Sequence, residues 1–171
     1  MTAADDERWF EALYTRLEKP VFNVVYRWLW NTDEARDVTQ EAFIKVWKAR
    51  AKVDRPAVDP LVFRAAVNLA SNRLRARRLW SLLTLESAED RADLAPLADA
   101  SMSSQEDQAR VRAAIDALPK KLKEVVVLCE LSGLTYQQIS DTLGIPVGTV
   151  GSRKNLAFAA LEKSLGRLED A

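Results

Sequence analysis

Leu134-Thr135-Tyr136-Gln137-Gln138-Ile139-Ser140-Asp141-Thr142-Leu143-Gly144-Ile145-Pro146-Val147-Gly148-Thr149-Val150-Gly151-Ser152-Arg153 is the stretch that decides the fold. It reads as two short helices around a tight turn. Thr135 is a helix N-cap. Ile139 and Leu143 stand four apart and share one helix face. Ser140 is small where a second helix must cross closely. Gly144 lies where the chain leaves the first helix, a place that commonly needs positive φ. Ile145 and Val150 complete a small core. The second helix then presents its first turn outward, with free backbone N–H groups and the positive end of its dipole. A helix mounted this way fits a DNA major groove. The same spacings also suit an αα-hairpin that merely packs.

Around this stretch the pattern stays helical. The C-terminal half predicts helices over roughly 105–117, 119–132, 135–143 and 147–165, with breaks at Pro119, Ser132-Gly133 and Gly144-Ile145-Pro146. Upstream, residues 81–104 lose all periodicity. They hold one Arg against five Asp/Glu and end in Ser101-Met102-Ser103-Ser104, which reads as an acidic linker. The N-terminal half is periodic again. Trp9, Phe10, Leu13, Leu17, Val21, Val24, Val25, Trp28 and Leu29 recur at helical spacing, with a kink or break expected at Pro20. Asn31-Thr32-Asp33 predicts a capped turn into a second helix ending near Ala51. Val53 to Pro60 holds two prolines and predicts an irregular loop. A third helix runs from about Leu61 to Trp80 and ends in Arg73, Arg75, Arg77 and Arg78. The fold class is therefore all-α. Two small helical domains, 1–80 and 105–171, flank the linker 81–104.

Composition narrows the function classes. The chain has 171 residues, no histidine and one cysteine. Without histidine the commonest general base and zinc ligand are missing. There is no Gly-rich phosphate loop and no clustered acid pair, so no catalytic residue, metal site, cofactor or small-molecule substrate is assigned. Cys129 sits in an apolar run and reads as a small hydrophobe. No stretch is long and apolar enough to span a bilayer, and the acidic N-terminus is unlike a signal peptide, so a cytoplasmic chain is expected. Net charge is +0 but uneven. Residues 1–80 carry 15 Lys/Arg against 11 Asp/Glu, and residues 105–171 carry nine of each. A neutral total is compatible with local basic faces.

The run Ala117-Leu118-Pro119, Val125 to Leu128, Gly133 to Tyr136, Ile139, Leu143 to Pro146, Gly148 to Val150 and Ser152-Arg153 resembles the C-terminal promoter-binding domain of extracytoplasmic-function (ECF) sigma factors of bacterial RNA polymerase. The N-terminal half resembles the other domain of that family through Asp33 to Trp47, including Ala35, Asp37, Thr39-Gln40-Glu41 and Phe43. It does so again through Phe63 to Ala70 followed by Asn72, Arg73 and Arg75. Two unrelated segments in the right order are more specific than either alone.

The resemblance implies a non-enzymatic initiation factor that binds core RNA polymerase, through the largest-subunit coiled coil and the flap, and promoter DNA. An anti-sigma factor is the expected regulator. Asp33, Glu34, Asp37, Gln40 and Glu41 fall on the implied polymerase-docking helix. Arg36 stands where the family usually has a second acid. For the melted −10 element the resemblance implies Arg50, Lys52 and Arg55 in the loop, then Asn68, Asn72, Arg73, Arg75, Arg77 and Arg78 along the third helix. Phe63 falls where the family often has a tryptophan, and either stacks on a base or fills the core. For the −35 element the implied contacts are Thr149, Ser152, Arg153, Lys154 and Asn155. Gly151 replaces a common basic residue, and Leu156 and Phe158 follow where further basic residues are usual. Fewer phosphate contacts imply weaker, less salt-sensitive DNA binding, with Lys120, Lys121 and Lys123 as a compensating source of charge. Leu156 and Phe158 pack inward or, if exposed, point to a protein partner. Two other readings are a helix-turn-helix regulator acting without polymerase and a degenerate decoy for an anti-sigma factor.

Overall fold

In a computed structural model that describes residues 2–84 and 105–166, every regular element is helical. The expected linker core and the last five residues lie outside the described residues. Helix α1 spans Ala3–Leu29 and opens on a capping box: the Asp5 N–H donates to Thr2 Oγ1 and the Thr2 N–H to Asp5 Oδ2. It does not break at Pro20. Leu13, Leu17, Val21, Val24 and Val25 are all buried on either side of the proline. Their shared packing holds the helix together where one backbone hydrogen bond is lost. The helix ends at Trp30, whose φ of 49° is left-handed. That conformation costs a non-glycine residue about 1 kcal/mol. Burial of the Trp30 ring and its indole hydrogen bond to Asp116 (2.8 Å) hold it there.

Asn31 then caps α2 (Thr32–Ala49), accepting from the Glu34 N–H at 2.9 Å. The irregular loop expected from Val53 holds one short 3-10 turn, Arg55–Ala57, and another, Arg50–Lys52, precedes it. Helix α3 (Val58–Thr84) starts earlier and ends later than the sequence predicts. Pro60 falls in its first turn, where no intrahelical N–H is needed. Residues 81–84 continue the helix, although the sequence assigns them to the linker. The three long helices form one bundle. Phe43, Leu29, Val38, Val46, Val62 and Phe63 are among its fully buried side chains.

The C-terminal half holds α4 (Gln105–Asp116), α5 (Lys120–Leu131), α6 (Tyr136–Leu143) and α7 (Val147–Gly166). Its core is Val125, Leu128, Ile139, Val150 and Ala157. The orientation of the halves, which the sequence does not specify, is a direct contact: α3 packs on α6 and α1 packs on α5. Arg64 Nε donates to the Thr142 carbonyl at 2.9 Å, and its guanidinium also reaches the Asp141 carbonyl. A cation thus closes the negative end of α6.

At the other end of the seam, one oxygen of Asp116 accepts from both Trp30 Nε1 (2.8 Å) and Lys123 Nζ (2.7 Å). Lys123 is only 7% exposed, and burial pushes its ammonium below the usual lysine range despite Asp116. Asp116→Asn keeps the shape and the acceptor for Trp30 but removes the counter-charge. It is expected to cost about 2 kcal/mol at neutral pH, less than for a fully buried pair because Asp116 is partly exposed. A base whose folded pKa is depressed binds fewer protons folded than unfolded, so its contribution to stability rises with pH. The deficit of the Asp116→Asn variant should therefore shrink as pH rises toward the usual lysine value of about 10.4. Denaturant melts of both proteins at pH 7 and pH 10 check this; an equal deficit at both would rule it out.

Candidate nucleic-acid interface

The turn between α6 and α7 is built as its sequence requires. Thr135 and Gln138 form a second capping box. Gly144 has φ of 66° and donates its N–H to the Ser140 carbonyl at 2.8 Å. The Ser140 hydroxyl donates to the Ile145 carbonyl at 2.5 Å. Ile139 and Val150 are fully buried, while Leu143 and Ile145 pack at the core edge. Helix α7 is therefore fixed by its inner face, and its outer face carries Ser152 and Asn155 exposed and Thr149 and Arg153 half-buried. Arg153 has no acidic partner among the described residues. Lys154 is different. It pairs with Glu130 on α5 at 3.0 Å and lies against the rings of Tyr136 and Phe158. The Glu130 carboxylate holds its ammonium above the usual range. Leu156 (60% exposed) and Phe158 (40%) do not pack inward. Lys123 is turned to the seam, so it is not the surface charge expected of it; Lys120 and Lys121 are exposed.

The N-terminal half brings its candidate residues onto two adjoining helices. On α2, Asp33, Asp37 and Gln40 are exposed, with Glu34 and Glu41 half-buried beside them. These acids meet the arginines of α3: Arg77 pairs with Glu34, and Arg73 lies 3.8 Å from Glu41. Two residue sets with separate expected partners therefore brace each other. Asn68, Asn72, Arg75 and Arg78 on α3 are exposed. Asn68 lines a cleft with Arg64, Thr142 and Gly144, directly below the end of α6.

In the loop, Arg50 and Arg55 both pair with Asp6 of α1. Arg50 covers the Trp47 ring at 4.1 Å and Arg55 the Trp9 ring at 4.6 Å. They shape the loop rather than stand free in solvent, while Lys52 is exposed. Of the two expectations for Phe63, the structure favours the core: the side chain is fully buried, and its ring presents no face to a base in this conformation. A single step along α3, from Phe63 to solvent-facing Arg64, separates core from surface. Asp6 and Arg64 are the contributors that sequence reasoning misses. Their partners lie 44 and 77 residues away, so no local pattern announces them.

Comparison with known proteins accounts for both halves at once. Residues 13–79 match the family model for sigma-70 region 2, and residues 108–161 match that for sigma-70 region 4. The RNA polymerase sigma-H factor of Pseudomonas aeruginosa is 34% identical over 169 residues, which cover 94% of this chain and 88% of that protein. The chain belongs to the ECF sigma factors of RNA polymerase. The ECF sigma-E factor of Escherichia coli is 33% identical over the same shares of both chains. The ECF sigma factor SigE of Mycolicibacterium smegmatis is 30% identical over 85% of this chain and 56% of its own. Among solved structures, CnrH in complex with the cytosolic domain of CnrY superposes with a TM-score of 0.72 at 22% identity, covering 94% of this chain and 90% of CnrH. RpoE of Bartonella quintana, solved with the anti-sigma factor NepR, superposes with a TM-score of 0.74 at 19% identity, covering 92% and 96%. These two share the fold of this sigma factor.

Both sigma regions on one chain disfavour a helix-turn-helix regulator that works without polymerase. No helix among the described residues of this sigma factor is long and apolar enough to cross a membrane. Cys129 is half-buried, and burial pushes its thiol up, which disfavours the thiolate.

Proposed function

We propose that this ECF sigma factor divides its work between its halves: residues 1–80 dock on core polymerase and melt the −10 element, and residues 105–171 read the −35 element. The observation that carries this is the pairing of an exposed acidic α2 face with an adjoining basic α3, on a bundle separate from the outward face of α7. Asp33, Asp37 and Gln40 suit a basic partner surface such as a polymerase coiled coil. Lys52, Asn72, Arg75 and Arg78 are free to meet melted strand phosphates and base edges. Thr149, Ser152, Arg153 and Asn155 are the −35 contacts, with Lys154 contributing only if it leaves Glu130. The chain carries out no catalysis of its own and works in the cytoplasm beside polymerase.

An anti-sigma factor is the fitting regulator. Leu79, Trp80, Leu82 and Leu83 at the end of α3 are all more than half exposed, and Leu156 and Phe158 add a second apolar surface on α7. Exposed apolar clusters of this kind suit a protein partner. The structural neighbours CnrH and RpoE were each solved with a protein partner, CnrY and NepR.

The test is transcription in vitro with sigma-free core polymerase on genomic promoter fragments. Defined start sites that share two upstream motifs are expected. Core binding without any transcript would favour the decoy reading, and neither binding nor transcript would sink the proposal. The assignment of Arg153 has its own check. Arg153→Ala should weaken binding to −35 duplex by about 1–3 kcal/mol if it reads a base edge. If it holds a phosphate, the loss is uniform across sequences and the salt slope falls by about one. Fluorescence anisotropy across a salt series separates these, and an unchanged affinity would remove Arg153 from the interface.

A further inference from the structure

The seam between the halves encloses a cavity of about 210 Å³, open at one side. Its walls come from α1 and α3 on one side and from the α4–α5 corner on the other. Arg75 and Arg78 enter from α3; Lys120 and Lys123 enter from α5. Asp116 is the one acid among the lining residues, and it is already shared by Trp30 and Lys123. Lys120 has Glu124 at 3.5 Å. Arg75 and Arg78 have no acidic partner among the described residues. Arg78 and Arg112 both act on Lys123 as repelling charges.

Like charges brought together from two bodies oppose their contact. Here the halves nevertheless meet, at a recess with spare donors and room for a group larger than a water molecule. We infer that this recess is a binding site for a small multivalent phosphate, either inorganic pyrophosphate or the diphosphate of a nucleotide. Two planar guanidinium forks from α3 match phosphate oxygens, and exposed Lys120 adds a point charge from the facing half. An anion held by both halves binds only when they are together, so it stabilises the closed chain by mass action.

The consequence for initiation rests on the proposed roles of α3 and α7. Elements at −35 and −10 lie roughly 25 base pairs apart, about 85 Å along a duplex at 3.4 Å per base pair. Halves in contact cannot reach both, and the anion occupies Arg75 and Arg78. The bound phosphate therefore opposes promoter engagement.

Titration calorimetry on the full chain, with neither polymerase nor DNA present, tests the site apart from the sigma reading. Inorganic pyrophosphate and a nucleoside diphosphate are titrated in parallel, in sodium chloride of matched ionic strength. One anion per chain is expected for at least one of them, and tighter binding of one identifies the source. Arg75→Gln, Arg78→Gln and Lys120→Gln are each expected to weaken it roughly tenfold. All three side chains are exposed, so folding is preserved. Arg36→Gln, a distant exposed control, is expected to change nothing. Binding of neither anion, an equal loss with Arg36→Gln, or a loss confined to the α3 variants would each overturn the inference.

Discussion

Phe63→Ala is expected to destabilise the N-terminal bundle rather than blunt a DNA contact. Phe63 has no exposed surface, and Val62, Ala66 and Val67 beside it on α3 are buried as well. Truncating a buried phenylalanine removes its transfer free energy and leaves a cavity, at a cost of about 3–5 kcal/mol. A domain of this size has about 5–15 kcal/mol in all. The melting temperature of the bundle should fall by roughly 12 °C or more, since each kcal/mol shifts it by about 4–8 °C in a domain of 60–100 residues. Phe63→Leu refills most of the space and should cost less than about 2 kcal/mol. Calorimetric melts of both variants decide the matter. A normal melt for Phe63→Ala, together with poor promoter opening, would restore the stacking role.

The split at Phe63 illustrates what the sequence makes legible. Its helix, its period and its neighbours are all readable, because periodicity reports which face is apolar. Whether an aromatic on that face is capped by a second helix depends on α1 and α2, which no local pattern specifies. The α6–α7 turn is readable almost residue by residue. Thr135, Ser140 and Gly144 act within a few positions of themselves, so their roles are local. At Pro20 a break does not occur, because burial on both sides of the proline holds the helix together against the local rule. Arg50, Arg55, Arg73 and Arg77 are legible as a basic set. That each is committed to an acid on another helix is invisible in the sequence, since Asp6, Glu34 and Glu41 are distant along the chain. The seam itself is beyond reach. It rests on Arg64 and Asp116, two charged residues of ordinary appearance.

Ile139→Ala should separate the two proposed activities. Ile139 is fully buried at the centre of the C-terminal half, beneath the turn that positions α7. Loss of its side chain costs about 2–5 kcal/mol. The C-terminal core is the smaller of the two and has fewer large side chains to close the gap. The expected result is a loosened α6–α7 pair, with loss of most affinity for −35 duplex. The N-terminal bundle keeps its own core of Phe43, Phe63 and Leu29 and should still bind core polymerase. The seam gives a second readout. Arg64 grips the last carbonyls of α6, so a frayed α6 releases the halves from each other. Scattering should report a more extended chain for Ile139→Ala. Hydrogen exchange should speed in α5 to α7 and stay slow in the buried parts of α1 to α3. Uniform exchange across both halves would mean that the seam couples them into one folding unit, and the division of labour would then have to be tested with the halves expressed apart.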